Sequence, residues 1–237
     1  MELFELTLNQ QSYLAPVSQW RVIDIPSAVK ISPLNPNYSS FCRMVRQLEK
    51  GGVLKSYRKP GGGRKYIYLT PLGERLMGLG EAPTSITTET LLHDLRASEL
   101  ARELLSRGWI DSVSLEHELH NKRQFGSSGR IVPDAQLEGS KSGKRFKIAL
   151  EVELTVKSHS RVEEKIRHYQ SQSFYDYCLY FFPKISHLEN FQEFVTARIG
   201  PEVSKRLMCF CWDWGSPLNE SKGYFKGQSM TLKELFA

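Results

Sequence analysis

The pattern of apolar and polar positions changes character near residue 80. Before it, "SQWRVIDIPSAVKISP" predicts a short helix ended by Pro33. "NYSSFCRMVRQLEKGG" predicts a longer one, with Phe41, Met44, Val45 and Leu48 at helical spacing and a stop at Gly51 and Gly52. "VLKSYRKPGGGRKYIYLT" follows as two β-rich arms around Pro60, Gly61, Gly62 and Gly63, and "TPLGERLM" as a closing helix. Residues 78 to 90, "GLGEAPTSITTET", have no period and read as a linking stretch. A different rhythm comes next: a helix in "TLLHDLRASELARELLSRG", strands in "WIDSVSLEHEL", "IVPDAQLEG" and "RFKIALEVELTV", then helix, strand, helix and strand to "RLMCFCWD". Written out, the second part is αβββαβαβ, an α/β arrangement on a central mixed sheet. The expected organisation is one domain over 1–80, a linker over 81–90 and a second domain over 91–237.

Helix, helix and a glycine-tipped hairpin give the first domain the pattern of a winged helix, in which the second helix enters the major groove and the wing meets the backbone. Charge sharpens that reading. Residues 1 to 80 hold 11 Lys and Arg against 5 Asp and Glu, whereas 81 to 237 hold 21 of each, so the whole +6 excess lies in the first third. Basicity confined to one segment fits contact with a polyanion through phosphates and counterion release. The exposed helix face would present Tyr38, Ser39, Ser40, Arg43, Arg46 and Gln47, and the wing Lys55, Arg58, Lys59, Arg64 and Lys65. Double-stranded DNA is the expected partner; a solvated basic face or a protein-dimerisation module is the alternative.

Composition narrows the class. At 40% hydrophobic residues the chain is too apolar to be disordered, and no run of 18 apolar residues offers a membrane span. "MELFELTLNQQ" has two acids and no basic leader, so neither secretion signal nor span is expected and the cytoplasm is the expected location. Cys42, Cys178, Cys209 and Cys211 lack paired zinc spacing and read as small apolar fillers.

The candidate chemistry lies in "RIVPDAQLEGSKSGKRFKIALEVELTVKS", residues 130 to 158. Side chains on a strand alternate faces. In residues 145 to 157 the even positions are apolar and form a core face, while the odd ones align Glu151, Glu153, Thr155 and Lys157. On the preceding strand Asp134 shares a face with Val132, Gln136 and Glu138, and a hairpin through "GSKSGK" would bring it beside Glu151 and Glu153. Such acids suit a hard Mg²⁺ or Mn²⁺ ion, which polarises a phosphate and activates water, with Lys157 offsetting developing charge. A half-exposed sheet with a charged outer face is the other reading.

"PD" followed 17 residues later by "EVE" is similar to the PD-(D/E)XK nuclease signature, with Glu153 where that family's lysine stands. "ALEVELTVKSHSR…EEKIRHY" resembles the E-x-E-L-T-x-K segment of the replication-relaxation proteins, which include MobC-type plasmid mobilisation relaxases. The resemblance implies a winged helix before a restriction-endonuclease-like domain. It also implies a Mg²⁺- or Mn²⁺-dependent endonuclease that nicks one DNA strand at a plasmid transfer origin in conjugation, and meets single-stranded DNA and accessory or coupling proteins of mobilisation. Carried over, Asp134, Glu151 and Glu153 match the acidic triad of metal ligands and Lys157 the basic position after it. Lys165, a helical turn beyond the Ser160 to Glu163 capping-box pattern, is the substitute cation. The alternative is a noncatalytic DNA-binding accessory or regulator with a degenerate nuclease domain.

Other constellations are weaker. "HELH" at His117 to His120 has the wrong spacing for a zinc helix, and "PGGGRK" lacks the phosphate-loop pattern. Of Tyr169, Tyr175, Tyr177 and Tyr180, which read mainly as core, Tyr169 is the one retained as a candidate nucleophile.

Overall fold

A computed structural model describes residues 5–58, 63–79, 86–122, 131–155, 157–171, 174–200 and 205–236. The chain forms two compact units, one of Met1–Glu99 with His120–Phe125 and the other of Leu100–Leu119 with Gly126–Ala237. The break between Glu99 and Leu100 falls inside a helix, and residues 81–85 of the expected linker over 81–90 lie outside the described residues.

The first unit runs α1 (Leu8–Trp20), β1 (Val22–Asp24), α2 (Ile25–Ile31), α3 (Tyr38–Lys50), β2 (Leu54–Arg58), β3 (Lys65–Leu69) and α4 (Pro71–Leu76), followed by the start of α5 (Thr88–Ser106). Its sheet is antiparallel in the order β1-β3-β2. This connectivity, with a hairpin after α3, is that of a winged helix, as the sequence predicts. One expectation is corrected: residues 18–33 are not a single helix, because β1 separates α1 from α2. Three apolar or capping residues suffice for that strand, whose Asp24 carboxylate then accepts from Ser27 N at 3.1 Å and starts α2. Asn37 caps α3 in the same way through Ser40 N at 2.8 Å. Phe41, Val45 and Leu48 face the core at helical spacing, and Gly52, at φ +70°, reverses the chain into β2. Leu91 and Leu95 of α5 pack on Val22, and Arg21 pairs with Asp94 at 2.9 Å.

The second unit contains the rest of α5, β4 (Ser112–Leu115), the first part of α6 (Glu116–Lys122), β5 (Ala135–Lys141), β6 (Lys144–Val152), α7 (His159–Ser171), β7 (Tyr177–Phe182), α8 (Ile185–Arg198), β8 (Leu207–Cys211), β9 (Lys222–Phe225), β10 (Gln228–Thr231) and α9 (Leu232–Phe236). The sheet order is β10-β9-β8-β7-β6-β5-β4. β6, β7 and β8 are parallel neighbours, and the outer strands are antiparallel. The expected order αβββαβαβ is present with two changes. "HELH" lies on helix α6 rather than on a strand, since Glu118 turns back to accept from Leu115 N at 3.0 Å. The hairpin β9–β10 and α9 extend the sheet beyond the predicted elements.

β6, flanked by β7 and β5, departs from the expected division into core and outer faces. Ala149, Leu150, Glu151 and Val152 are all buried, because α7 and α8 cover the side that carries Ala149 and Glu151. Parallel central strands covered on both faces commonly lose alternation in burial.

Candidate functional site

A two-residue turn sets the geometry. Ser142 and Gly143 both have positive φ, 52° and 77°, which matches the twist of the strands they join. The resulting register pairs Ala135 with Leu150. Asp134 therefore stands at the end of the ladder opposite Glu151, as the hairpin reading requires. Its Oδ2 accepts from Val152 N at 2.6 Å. Next door, Glu151 lies level with Tyr180 of β7.

Glu151 is fully buried and both of its oxygens are engaged from α7: Lys165 Nζ donates to Oε2 and Tyr169 Oη to Oε1. The four-residue spacing of Lys165 and Tyr169 puts them on one helical stripe with the apolar Val162 and Ile166. Burial raises the Glu151 carboxyl to about 7, against the pull of Lys165 and with a push from the charge of Asp134. Lys165 is itself raised, since Glu151, Asp134 and Glu153 together outweigh its loss of solvent. Tyr169 is raised by burial first and by Glu151 second, so its hydroxyl keeps its proton and acts as a donor. That is the opposite of an activated nucleophile. Tyr180, also buried beside Glu151, has a hydroxyl with no hydrogen-bond partner among the described residues.

Glu153 lies past the end of β6, anchored by its backbone N–H to Phe181 O at 2.9 Å. Its carboxylate pairs with Lys157 at 2.8 Å. The row of odd positions expected to run through Lys157 ends with the strand, so Lys157 meets Glu153 and not Glu151. The cation beside Glu151 is Lys165. Asp134, Glu151 and Glu153 share one electrostatic neighbourhood, as their common effect on Lys165 shows, but among the described residues no group of three or more His, Cys, Asp or Glu is placed to hold one ion. Asp134 and Glu151 are the two carboxylates that could share a hard cation, but here both Glu151 oxygens are held by Lys165 and Tyr169 and Asp134 Oδ2 by Val152 N.

A cleft of about 60 Å³ opens beside Glu153, where β6 and β7 end, between α7 and α8. Phe182, Phe191 and Phe194 line it, and His159 stacks on Phe194 with ring centres 4.3 Å apart. No local sequence pattern signals it, because its walls come from four separated elements.

In the first unit, Ser39, Arg43, Arg46 and Gln47 are exposed along α3, and Ser40 is half-buried. Lys55, Arg58 and Arg64 of the hairpin are exposed too. Lys65 is drawn into a 2.8 Å pair with Glu49, which ties β3 to α3. Lys59 and the hairpin tip at 60–62 lie outside the described residues. No helix of the described residues is long and apolar enough to cross a membrane.

Two solved structures are similar to parts of the chain. The PcaV transcriptional regulator from Streptomyces coelicolor, solved with its natural ligand, is 23% identical over 41% of this chain and 77% of its own, with a TM-score of 0.29. A probable transcriptional regulator from Pseudomonas aeruginosa is 18% identical over 43% and 77%, with a TM-score of 0.27. Likeness at this level says nothing of function. No curated protein matches the chain. The replication-relaxation profile matches residues 30–176, more than half of the sequence and including α3, the hairpin, Asp134, Glu151 and Lys165. The chain belongs to the replication-relaxation family.

Proposed function

We propose that the chain binds duplex DNA through its first unit and nicks one strand with a divalent metal in its second, at the mobilisation origin of a plasmid. One observation carries the catalytic part. Two neighbouring acids, Asp134 and Glu151, meet a lysine that enters from α7 in place of the one missing from β6. Family membership supports a role in replication or transfer of plasmid DNA. The order of elements around parallel β6, β7 and β8 supports the restriction-endonuclease-like reading.

In this reading Asp134 and Glu151 would hold Mg²⁺ or Mn²⁺, which would supply Lewis acidity toward the scissile phosphate and the attacking water. Lys165, beside Glu151, would offset negative charge on the phosphate. Tyr169 keeps Glu151 oriented by its hydrogen bond and is not the nucleophile. Glu153, paired with Lys157, sets the rim of the site. In the first unit Arg43, Arg46 and Gln47 read the major groove from α3, while Lys55, Arg58 and Arg64 neutralise phosphates.

A second reading has its own support. Glu151 is sealed by Lys165 and Tyr169, and Glu153 by Lys157, as a noncatalytic DNA-binding accessory with a degenerate nuclease unit would have them. Supercoiled plasmid carrying a transfer origin separates the two. The nickase gives open circles with Mg²⁺ or Mn²⁺, and Glu151→Ala and Lys165→Met both abolish them. Absence of open circles with either metal leaves the accessory reading.

A further inference from the structure

We propose that the cleft beside Glu153 receives a single unstacked nucleobase of a DNA strand. The inference rests on the reading of this protein as one that acts on DNA, and adds to it a subsite of defined chemistry.

Position comes first. The cleft opens where β6 and β7 end, and Glu153, two residues beyond Glu151 and just past the end of β6, forms part of its wall. A strand lying across the acids would thus have a neighbouring base within reach. The wall is the second point. Phe182 and Phe191 are buried, and the aromatic surface left open is that of the half-buried Phe194 and the exposed His159, whose rings already stack at an interplanar angle of 16° and to which a planar base can add. Stacking on aromatic side chains is how proteins hold bases of single strands without regard to sequence.

The rim supplies the polar half. Asn190 lines the cleft with an amide that can both donate to and accept from a base edge. His187 lines it as well, and its Nδ1 is buried without a hydrogen-bond partner among the described residues. An orphaned ring nitrogen beside an aromatic slot calls for a ligand with polar edges, which an aliphatic or phenyl group lacks. Size limits the occupant. On this measure an ordered water needs roughly 10–15 Å³, so the cleft holds on the order of five waters, the space of one base ring and not of a stacked pair. A base within an intact duplex cannot enter, so the occupant belongs to a single or locally opened strand.

Fluorescence anisotropy on the full chain at one fixed salt concentration tests this, with three probes: a short oligothymidylate, the same length of abasic backbone, and duplex of random sequence. The wild type should hold oligothymidylate more tightly than the abasic oligomer. Phe194→Ala should lose about tenfold on oligothymidylate and nothing on the abasic oligomer or the duplex, while Phe194→Tyr should bind as the wild type does. An unchanged urea midpoint shows that the mutated unit of the variant is folded. Equal affinity of the wild type for oligothymidylate and abasic backbone overturns the proposal, as does a Phe194→Ala chain that binds oligothymidylate normally. The nickase reading fails separately: plasmid left supercoiled with Mg²⁺ and Mn²⁺, alongside a tenfold loss in Phe194→Ala, removes the nickase and leaves the cleft.

Discussion

Lys165 and Glu151 form a buried pair whose partners cannot be removed one at a time without cost. Lys165→Met leaves a carboxyl in the core with only Tyr169 to satisfy it, so unfolding by urea should show a loss of roughly 3–5 kcal/mol. Adding Glu151→Gln should recover much of that loss, and a double variant as unstable as the single one would sink this account of the pair. The same carboxyl gives stability a pH dependence. Burial raises Glu151 from 4.5 to about 7, so the folded chain keeps a proton that the unfolded chain releases within that interval. Stability therefore falls as pH rises from about 4.5 to 7, by on the order of 2–3 kcal/mol. Lys165, held above its ordinary value, stays charged throughout and adds no slope there. Glu151→Gln should flatten the stability profile across this window in urea titrations; a slope that persists would point to other groups. At this scale the sequence is partly readable. Parity and the hairpin turn place Asp134 beside Glu151, but the same parity, continued past the end of β6, puts Lys157 in the place that Lys165 occupies. Nothing in the spacing of strand residues encodes where a strand stops or which helix crosses over it.

Helix α3 and the hairpin are legible because each carries its own local signal, a clean apolar stripe in one and a glycine tip in the other. β1 is not, since three residues show no period, and α1 is not, since its apolar and polar residues are scattered and Pro16 lies within it. α6 reads as strand because "SLEHEL" alternates as a strand does, although the Glu118 cap favours a helix there. β9 and β10 carry a usable signal in "KGQ", where Lys226 and Gly227 both take positive φ. Their pairing with β8 also depends on Gly223, where a Cβ would drive into the carbonyl oxygen of Cys209 and the ring of Phe210. Gly223→Ala should cost about 1–3 kcal/mol by chemical denaturation, and an unchanged midpoint would mean that β9 moves away freely. Arg43 of α3 and Arg58 of β2 are exposed and open to phosphate or base contact. Replacing either with Ala should weaken duplex binding. Each phosphate interaction removed in this way should make the slope of log K against log salt shallower by about one. An unaltered slope in both variants would remove this face from the interface.

For the whole molecule, the proposed function divides recognition and chemistry between the two units. Glu151→Ala should leave duplex affinity unchanged while removing open-circle product, and a variant deficient in both would argue against that division. The charges of the two units also differ in kind. Those on α3 and the hairpin stand in solvent, where salt screens them, whereas Lys165 and Glu151 meet inside the core, where mobile ions do not reach. Ionic strength thus addresses the units independently. On the proposed function, rising salt should release DNA long before it disturbs the acids and their lysine, so a salt titration would part the protein from its partner with the buried pair still in place.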